Sequence, residues 1–316
     1  MKHKRNTVIQ LAILTVLGGA VILTMLLPRF PGQRAAAPLV EISVILRESD
    51  SSLWSSARLG MDQAAGELGA ELRVLTLART NDGADQLAVV RREVSQQTDA
   101  LVVVPADPEG LARALAGQDP GCPILTMESA VEGAVPAASP DNGALGRALA
   151  QAVIDDGAAG TVLLLNASPD STGITARAAG AQEALEAAGT AVRVRTVDLS
   201  APSDALRDLL KQPDLTAVMV FEPALTEQAA SLKQGLELDV PLYGVGVTAS
   251  AAAWLERGVI SAAGAWSDFA AGYLAVEGAV SLARGADYHM DQLPFFIVRG
   301  EELYEPEYQK LLFPVG

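Results

Sequence analysis

The side chains able to carry covalent chemistry are few and scattered. Histidine occurs twice, at His3 and His289, and cysteine once, at Cys122. Nucleophilic hydrolysis or transfer needs a serine, threonine or cysteine held by a base, and no G-x-S-x-G elbow accompanies either histidine. No group of His, Cys, Asp and Glu falls at metal-ligand spacing, so no metal is expected. Gly244 and Gly246 lack the third glycine of a dinucleotide fingerprint, so no cofactor is expected either. Three carboxylates, Glu128, Asp141 and Glu222, each follow an apolar run, but nothing in their spacing pairs two of them for general acid and base work. An enzyme acting on a sugar or nucleoside through Glu128 and Asp141 therefore stands as an alternative, and no catalytic residue is assigned.

The elements that would position these groups repeat a single plan. Residues 40–77 open with an alternating β-branched run, break into a polar loop carrying Trp54, continue at helical spacing through Leu59, Ala64 and Leu68, and return to an apolar run. This predicts a β-α-β unit, whose first loop lies at the carboxyl edge of a parallel sheet, where open α/β proteins bind ligands. Strands are expected near 100–104 and 123–127, with a short helix to Ala116 between them, and a fifth strand near 134–139. A second cycle starts after Asp141 and Asn142, with strands near 161–165, 192–197, 217–221 and 242–247. Two runs of alternating units with no long linker predict two similar α/β lobes. The last elements, residues 260–265, 269–283 and 295–298, are too few for a third domain and predict that the chain crosses between lobes more than once.

Composition narrows the function. With 316 residues, half of them hydrophobic, the chain has material for two cores. A formal charge of −15 excludes nucleic acid as a partner, since neutralising phosphates takes a basic patch. The single cysteine reads as a small buried hydrophobe. Lys2, Lys4 and Arg5 precede an apolar stretch over residues 7–28, long enough as a helix to span roughly 30 Å of bilayer. The positive tail 1–6 predicts a cytoplasmic N-terminus, a single-pass signal anchor and an extracytoplasmic body on a short linker, 29–39. Cleavage after Ala37 would instead release a periplasmic or secreted protein.

Several short stretches share an order with a known family. They are Trp54 to Gly60, Asn81 and Asp82 with Gln86 and Leu87, Val102 to Asp107, Leu125 to Glu128, Ala138 and Ser139 with Asp141 and Asn142, Arg177 to Gly180, and Gly272 to Glu277. Over residues 40 to about 299 the chain resembles periplasmic sugar-binding proteins of the ribose-binding type. The resemblance implies a type I fold of two Rossmann-like lobes joined by three crossings, closing on a solute with no chemistry. Lobe 1 would comprise 40–139 and 267–290, and lobe 2 would comprise 140–266 and 291–316. Trp54 matches an aromatic that stacks on the ligand, Arg177 a hydrogen-bonding arginine of the second lobe, and Asp141 or Asn142 the first crossing.

The departures from that pattern bear on the ligand. Glu128 and Ser129 stand where the family has Asp and Arg, Glu222 where it has Asn, Gly246 where it has Asp, and Trp266 where it has Gln. Two aromatics, one arginine and two carboxylates imply a flatter or partly cationic solute, or a sugar held by stacking. Each residue also has an ordinary reading. Trp54 could cap the first helix in the core, Arg177 could be a solvated charge, Trp266 could pack at the lobe junction, and Glu222 could be a helix-entry acid. The expected partners are a small solute and a membrane protein that reads the closed form, either the permease of an ABC importer or a sensor kinase. A ligand-free scaffold is the third reading.

Overall fold

The computed structural model describes residues 15–19, 21–22, 38–117, 120–133, 135–201, 203–306 and 308–309. Residues 1–39 and 40–316 form two separate compact units. In the first, residues 15–19, 21 and 22 are helical. Most of the predicted anchor 7–28, the tail 1–6 and most of the linker lie outside the described residues. Among the described residues no helix is long and apolar enough to cross a membrane.

The second unit alternates strands and helices from its first residue. Its opening half runs β1 (Val40–Ile45), α1 (Ser55–Leu68), β2 (Ala70–Leu75), α2 (Gly83–Ser95), β3 (Ala100–Val103), α3 (Pro108–Leu115), β4 (Ile124–Met127) and β5 (Val135–Ala138). The next cycle runs α4 (Asn142–Asp155), β6 (Thr161–Asn166), α5 (Thr172–Ala187), β7 (Ala191–Thr196), α6 (Asp204–Leu210), β8 (Leu215–Val220), α7 (Pro223–Gly235) and β9 (Leu242–Val245). It closes with α8 (Ala249–Glu256), β10 (Ala262–Trp266), α9 (Asp268–Ala283) and β11 (Phe295–Val298). Helix α8, which carries Trp254, has no counterpart in the sequence reading, because its Ala-rich turn shows no apolar stripe.

Two sheets result, in the orders β2-β1-β3-β4-β5 and β11-β10-β9-β8-β6-β7. Every pair is parallel except β10 with β11. Strands covered by helices on both faces are largely apolar, and all four residues of β3 and of β4, Thr126 included, are buried. Each sheet is a layer between two cores. In the first, α1 and α9 cover one face through Met61, Ala64, Ala275 and Val276, while α2 and α3 cover the other through Val90 and Leu111. In the second, α4 and α5 pack Leu149, Ile174 and Leu185 on one face, and α6, α7 and α8 pack Leu206, Leu225 and Leu255 on the other. Removing one such leucine down to alanine costs roughly 2–5 kcal/mol.

Helix starts are set by side-chain caps. Asp82, Asp107 and Asp141 each accept a hydrogen bond from the backbone N–H three residues on, opening α2, α3 and α4. The cap at Asp141 starts α4 three residues ahead of the apolar positions that betray it in sequence.

The chain passes between the sheets three times. It leaves the first sheet after β5 for α4, which packs on α5, β10 and β11. After β10 it returns as α9 to pack on α1, β1, β3, β4 and β5, and it then crosses back into β11. Two of these passages touch, since Pro140 bridges Leu293 and Leu293 N donates to Ser139 O at 3.0 Å.

Candidate functional site

The carboxyl ends of β1 and β4 meet the start of α5, the end of β8 and the end of β10 at the seam between the sheets. Arg47 and Glu48 continue the buried strand β1, whose parallel pairing points its end at this seam. Glu128 follows β4 directly and has a φ of 65°. A residue with a Cβ is held in the left-handed region at a cost of roughly 1–3 kcal/mol, which surrounding contacts must offset. Here they are ionic.

Glu128 lies between two guanidinium groups. Arg47 Nη1 donates to its Oε2, and Arg177 Nη1 donates to its Oε1 at 3.1 Å. Arg177 also donates from Nη1 to Phe221 O at 2.9 Å and from Nε to Asn142 Oδ1 at 2.7 Å. Asn142 closes the loop by donating from Nδ2 to Glu128 O at 2.8 Å. The guanidinium carbon of Arg177 stands 4.7 Å from the centre of the Trp266 ring, a cation-π contact. Arg177 has no solvent exposure at all, yet its Nη2 has no hydrogen-bond partner among the described residues. An orphaned buried donor of this kind marks a place for a further acceptor.

Glu48 joins the network from the β1 side, accepting from Arg47 Nε at 2.9 Å and from Trp54 Nε1 at 2.6 Å. On the facing side Glu222, also buried, accepts from Ala167 N at 2.7 Å and from Ser168 Oγ at 2.6 Å. Further contacts cross the seam. Asn81 Nδ2 donates to Ser168 Oγ at 2.8 Å, Ser129 Oγ and Ser171 Oγ are 3.1 Å apart, and Gly173 N donates to Ser129 Oγ at 3.0 Å.

These distances set the charges. Burial penalises Arg47, but Glu128, Glu48 and Glu222 hold its affinity for a proton above the ordinary arginine value. Arg177 is lowered by burial and by the charge of Arg47, against the pull of Glu128. Glu128 is desolvated too, and the two arginines overcome this and keep it below the usual carboxylate range. Burial raises Glu48. Asp268, the first residue of α9, is pushed from 3.8 to about 7 by burial and by the negative charge of Glu128, against Arg177 and the Trp266 indole. Glu128 and its four charged neighbours, Arg47, Glu48, Arg177 and Asp268, thus share one poorly solvated space.

Of the residues singled out in sequence, Trp54, Glu128, Asn142, Arg177, Glu222 and Trp266 come together at the seam. Asp141 does not join them. It is exposed, and its Oδ1 accepts from Ala144 N at 2.8 Å as the cap of α4. Glu128 and Asp141, the pair an enzyme reading needs, are therefore committed to different tasks. Arg177 is not a solvated charge, and the cluster holds two arginines where the sequence reading counted one.

Sequence reasoning missed Arg47, Glu48, Ser168 and Asp268, and it named Asn81 and Ser129 only as pieces of the family pattern without placing them in the site. A signal existed for the first two, since adjacent opposite charges directly after a buried parallel strand must sit at its carboxyl edge. Ser267, the cap of α9, and Asp268 follow β10 in the same way.

A groove of about 1420 Å³ opens beside this cluster, with Glu48, Asp50 and Asn81 on one wall and Ala167, Asp198 and Glu227 on the other. Among the described residues no group of three or more His, Cys, Asp and Glu is arranged to hold a metal ion.

Known structures share this architecture. A carbohydrate transporter solute-binding protein from Agrobacterium radiobacter, solved with D-arabinose, superimposes with a TM-score of 0.80 at 17% identity, covering 87% of this chain and 99% of its own. The periplasmic component of an ABC-type sugar transport system from Hahella chejuensis gives 0.74 at 21% identity, covering 82% and 99%. A structure of the XylFII-LytSN complex gives 0.72 at 17%, covering 84% and 99%. At these identities the likeness speaks for the fold alone. No curated protein matches the sequence. Residues 42–287 match the periplasmic binding protein domain, more than three quarters of the chain. With two parallel-rich sheets, three passages between them and a charged seam, this chain belongs to the periplasmic binding protein domain family.

Proposed function

We propose that the chain is an extracytoplasmic solute-binding protein whose two halves close on one small polar molecule, a sugar or sugar-like solute, and present it to a membrane partner without converting it. The observation that carries this reading is the charged cluster at the seam, where Glu128 from one half meets Arg177 from the other and Arg177 Nη2 is left without an acceptor. A solute hydroxyl supplies that acceptor. Support comes from similar folds solved with D-arabinose, α-D-tagatopyranose and D-fucose. Ligand drives closure only through contacts that the open form lacks, so it must touch both halves. Trp54, Glu128, Asn142, Arg177, Glu222 and Trp266 are the binding residues in this reading, with Arg47, Glu48 and Asp268 added by the geometry.

The closed form is read by a membrane protein, the permease of an ABC importer or a sensor kinase. A sensor finds support in the fold shared with the XylFII-LytSN complex. Residues 7–28 act as a single-pass anchor that keeps the body near the bilayer, with lobe 1 built from 40–139 and 267–290 and lobe 2 from 140–266 and 291–316.

Thermal-shift and calorimetric titration of the full chain against a panel of monosaccharides tests the reading. Saturable binding that is lost in Arg177→Lys and weakened in Trp54→Phe is expected, with each hit recovered unchanged by mass spectrometry. Recovery of a product, abolished in Glu128→Gln, overturns it in favour of an enzyme.

A further inference from the structure

The buried cluster does not balance its own charge. Two arginines, Arg47 and Arg177, face four carboxylates, Glu48, Glu128, Glu222 and Asp268. Glu128 lies between both arginines, and Glu48 takes a bond from Arg47. Among the described residues Glu222 is bonded by a backbone N–H and a hydroxyl alone, and Asp268 forms no ion pair, feeling Arg177 only through space. Leaving a negative excess in a poorly solvated seam is costly, and a cation is what relieves it.

The approach has the same sign. Glu48, Asp50, Asp82, Asp198 and Glu227 line the groove beside the cluster against a single arginine, Arg79, which is itself tied to Asp82. A cleft walled by one sign of charge concentrates ligands of the other and speeds their arrival. A second and independent feature identifies the rest of the molecule. Arg177, wholly buried in the same cluster, keeps Nη2 free to donate, which calls for an oxygen acceptor and not for a second cation.

The geometry points to a solute that carries both groups, a protonated amino sugar or amino polyol. Its ammonium group would lie among Glu48, Glu222 and Asp268, and a hydroxyl oxygen would accept from Arg177 Nη2. This deepens the solute-binding reading above and rests on it. Asp268 fits the scheme: its carboxyl is pushed up to about 7 by burial and by the negative charge of Glu128, and an ammonium group beside it would favour the ionised form.

The test is calorimetric titration of the full chain at about pH 7.5 with D-glucosamine, D-galactosamine and D-mannosamine, each against its neutral hexose and its hexonic acid. At least one amino sugar is expected to bind about tenfold or more tighter than its neutral counterpart. That preference is expected to shrink on raising sodium chloride from about 10 to about 300 mM, and in Glu222→Gln. Should Glu222→Gln fail to fold, Asp50→Asn on the exposed wall of the groove is expected to slow amino-sugar association. Neutral hexoses binding as tightly as the amino sugars overturn this inference and leave the solute-binding reading standing. Failure of every sugar in the panel overturns both.

Discussion

The two halves of the body are built around the same helix crossing and use it differently. In the first, α1 lies against α9 so closely that a Cβ added at Gly60 would meet Phe269 O at 2.0 Å and one at Gly272 would meet Ala57 O at 2.0 Å. In the second, α4 lies against α5, where a Cβ added at Gly146 would meet Arg177 O at 1.9 Å and one added at Gly180 would meet Gly143 O at 2.3 Å. Each crossing holds a charged residue of the seam at or next to its point of closest approach, Arg177 on one side and Asp268, which precedes Phe269, on the other. The outcomes differ. Arg177 has three hydrogen-bond partners and a ring beneath it, while Asp268, part of whose surface is exposed although its carboxyl faces the desolvated cluster, has no ion-pair partner among the described residues. One half supplies a fixed charge and the other an adjustable one.

The sharpest way to break this contrast is to remove the fixed charge. Arg177→Ala leaves Glu128 with one guanidinium in place of two and is expected to lower unfolding free energy by about 3–5 kcal/mol in urea denaturation. Adding Glu128→Ala to it should cost much less than the sum of the two single changes, because the residues share one network. The crossings themselves come next. Gly146→Ala and Gly60→Ala should each destabilise by about 1–3 kcal/mol through overpacking. Only Gly146→Ala should also weaken solute binding by a large factor, since the carbonyl it displaces belongs to Arg177.

The adjustable side predicts a pH effect. Asp268 takes up its proton at about 7 in the folded protein, against 3.8 ordinarily, so between those values the native state holds a proton that the unfolded chain releases. Its contribution to stability is therefore complete below about pH 4 and is lost as pH rises through about 7. The carboxyl faces Glu128, which its arginines hold below the usual carboxylate range, Arg177 and Trp266, while Glu48 beyond Glu128 is raised by burial and adds to the effect in the same direction. Thermal midpoints of the unliganded protein should fall between about pH 5 and pH 8, and Asp268→Asn should flatten that decline. The smallest effect belongs to Trp54→Phe, which removes the indole bond to Glu48 and should cost about 1 kcal/mol, read by the same denaturation curves.

Most of the architecture was legible in the chain because buried parallel strands advertise themselves. Runs such as Ala100–Val103 and the residues 162–165 inside Thr161–Asn166 are apolar, and the helices between them carry periodic stripes. The pieces Arg177 to Gly180 and Gly272 to Glu277, which carried the family resemblance, include glycines that the two crossings require. Half of the seam was legible through the same pieces. Arg47 and Glu48 escaped notice because a charge pair beside a strand reads as its solvated end, and only the parallel register shows that this end faces the other sheet. Asp141 looked like a member of the site for the opposite reason. Its neighbour Asn142 does reach Arg177, but a residue that caps a helix turns its oxygen back onto its own backbone.

The left-handed backbone at Glu128 limits how this pocket can change by mutation. Glycine, asparagine and aspartate take that conformation with little strain, whereas β-branched or bulky replacements do not. Altered ligand preference is therefore more readily reached by varying Glu222, Trp266 or Asp268, whose main chains are ordinary, than by exchanging the carboxylate at the centre. A library aimed at new solutes should vary the periphery and keep position 128 to that short set.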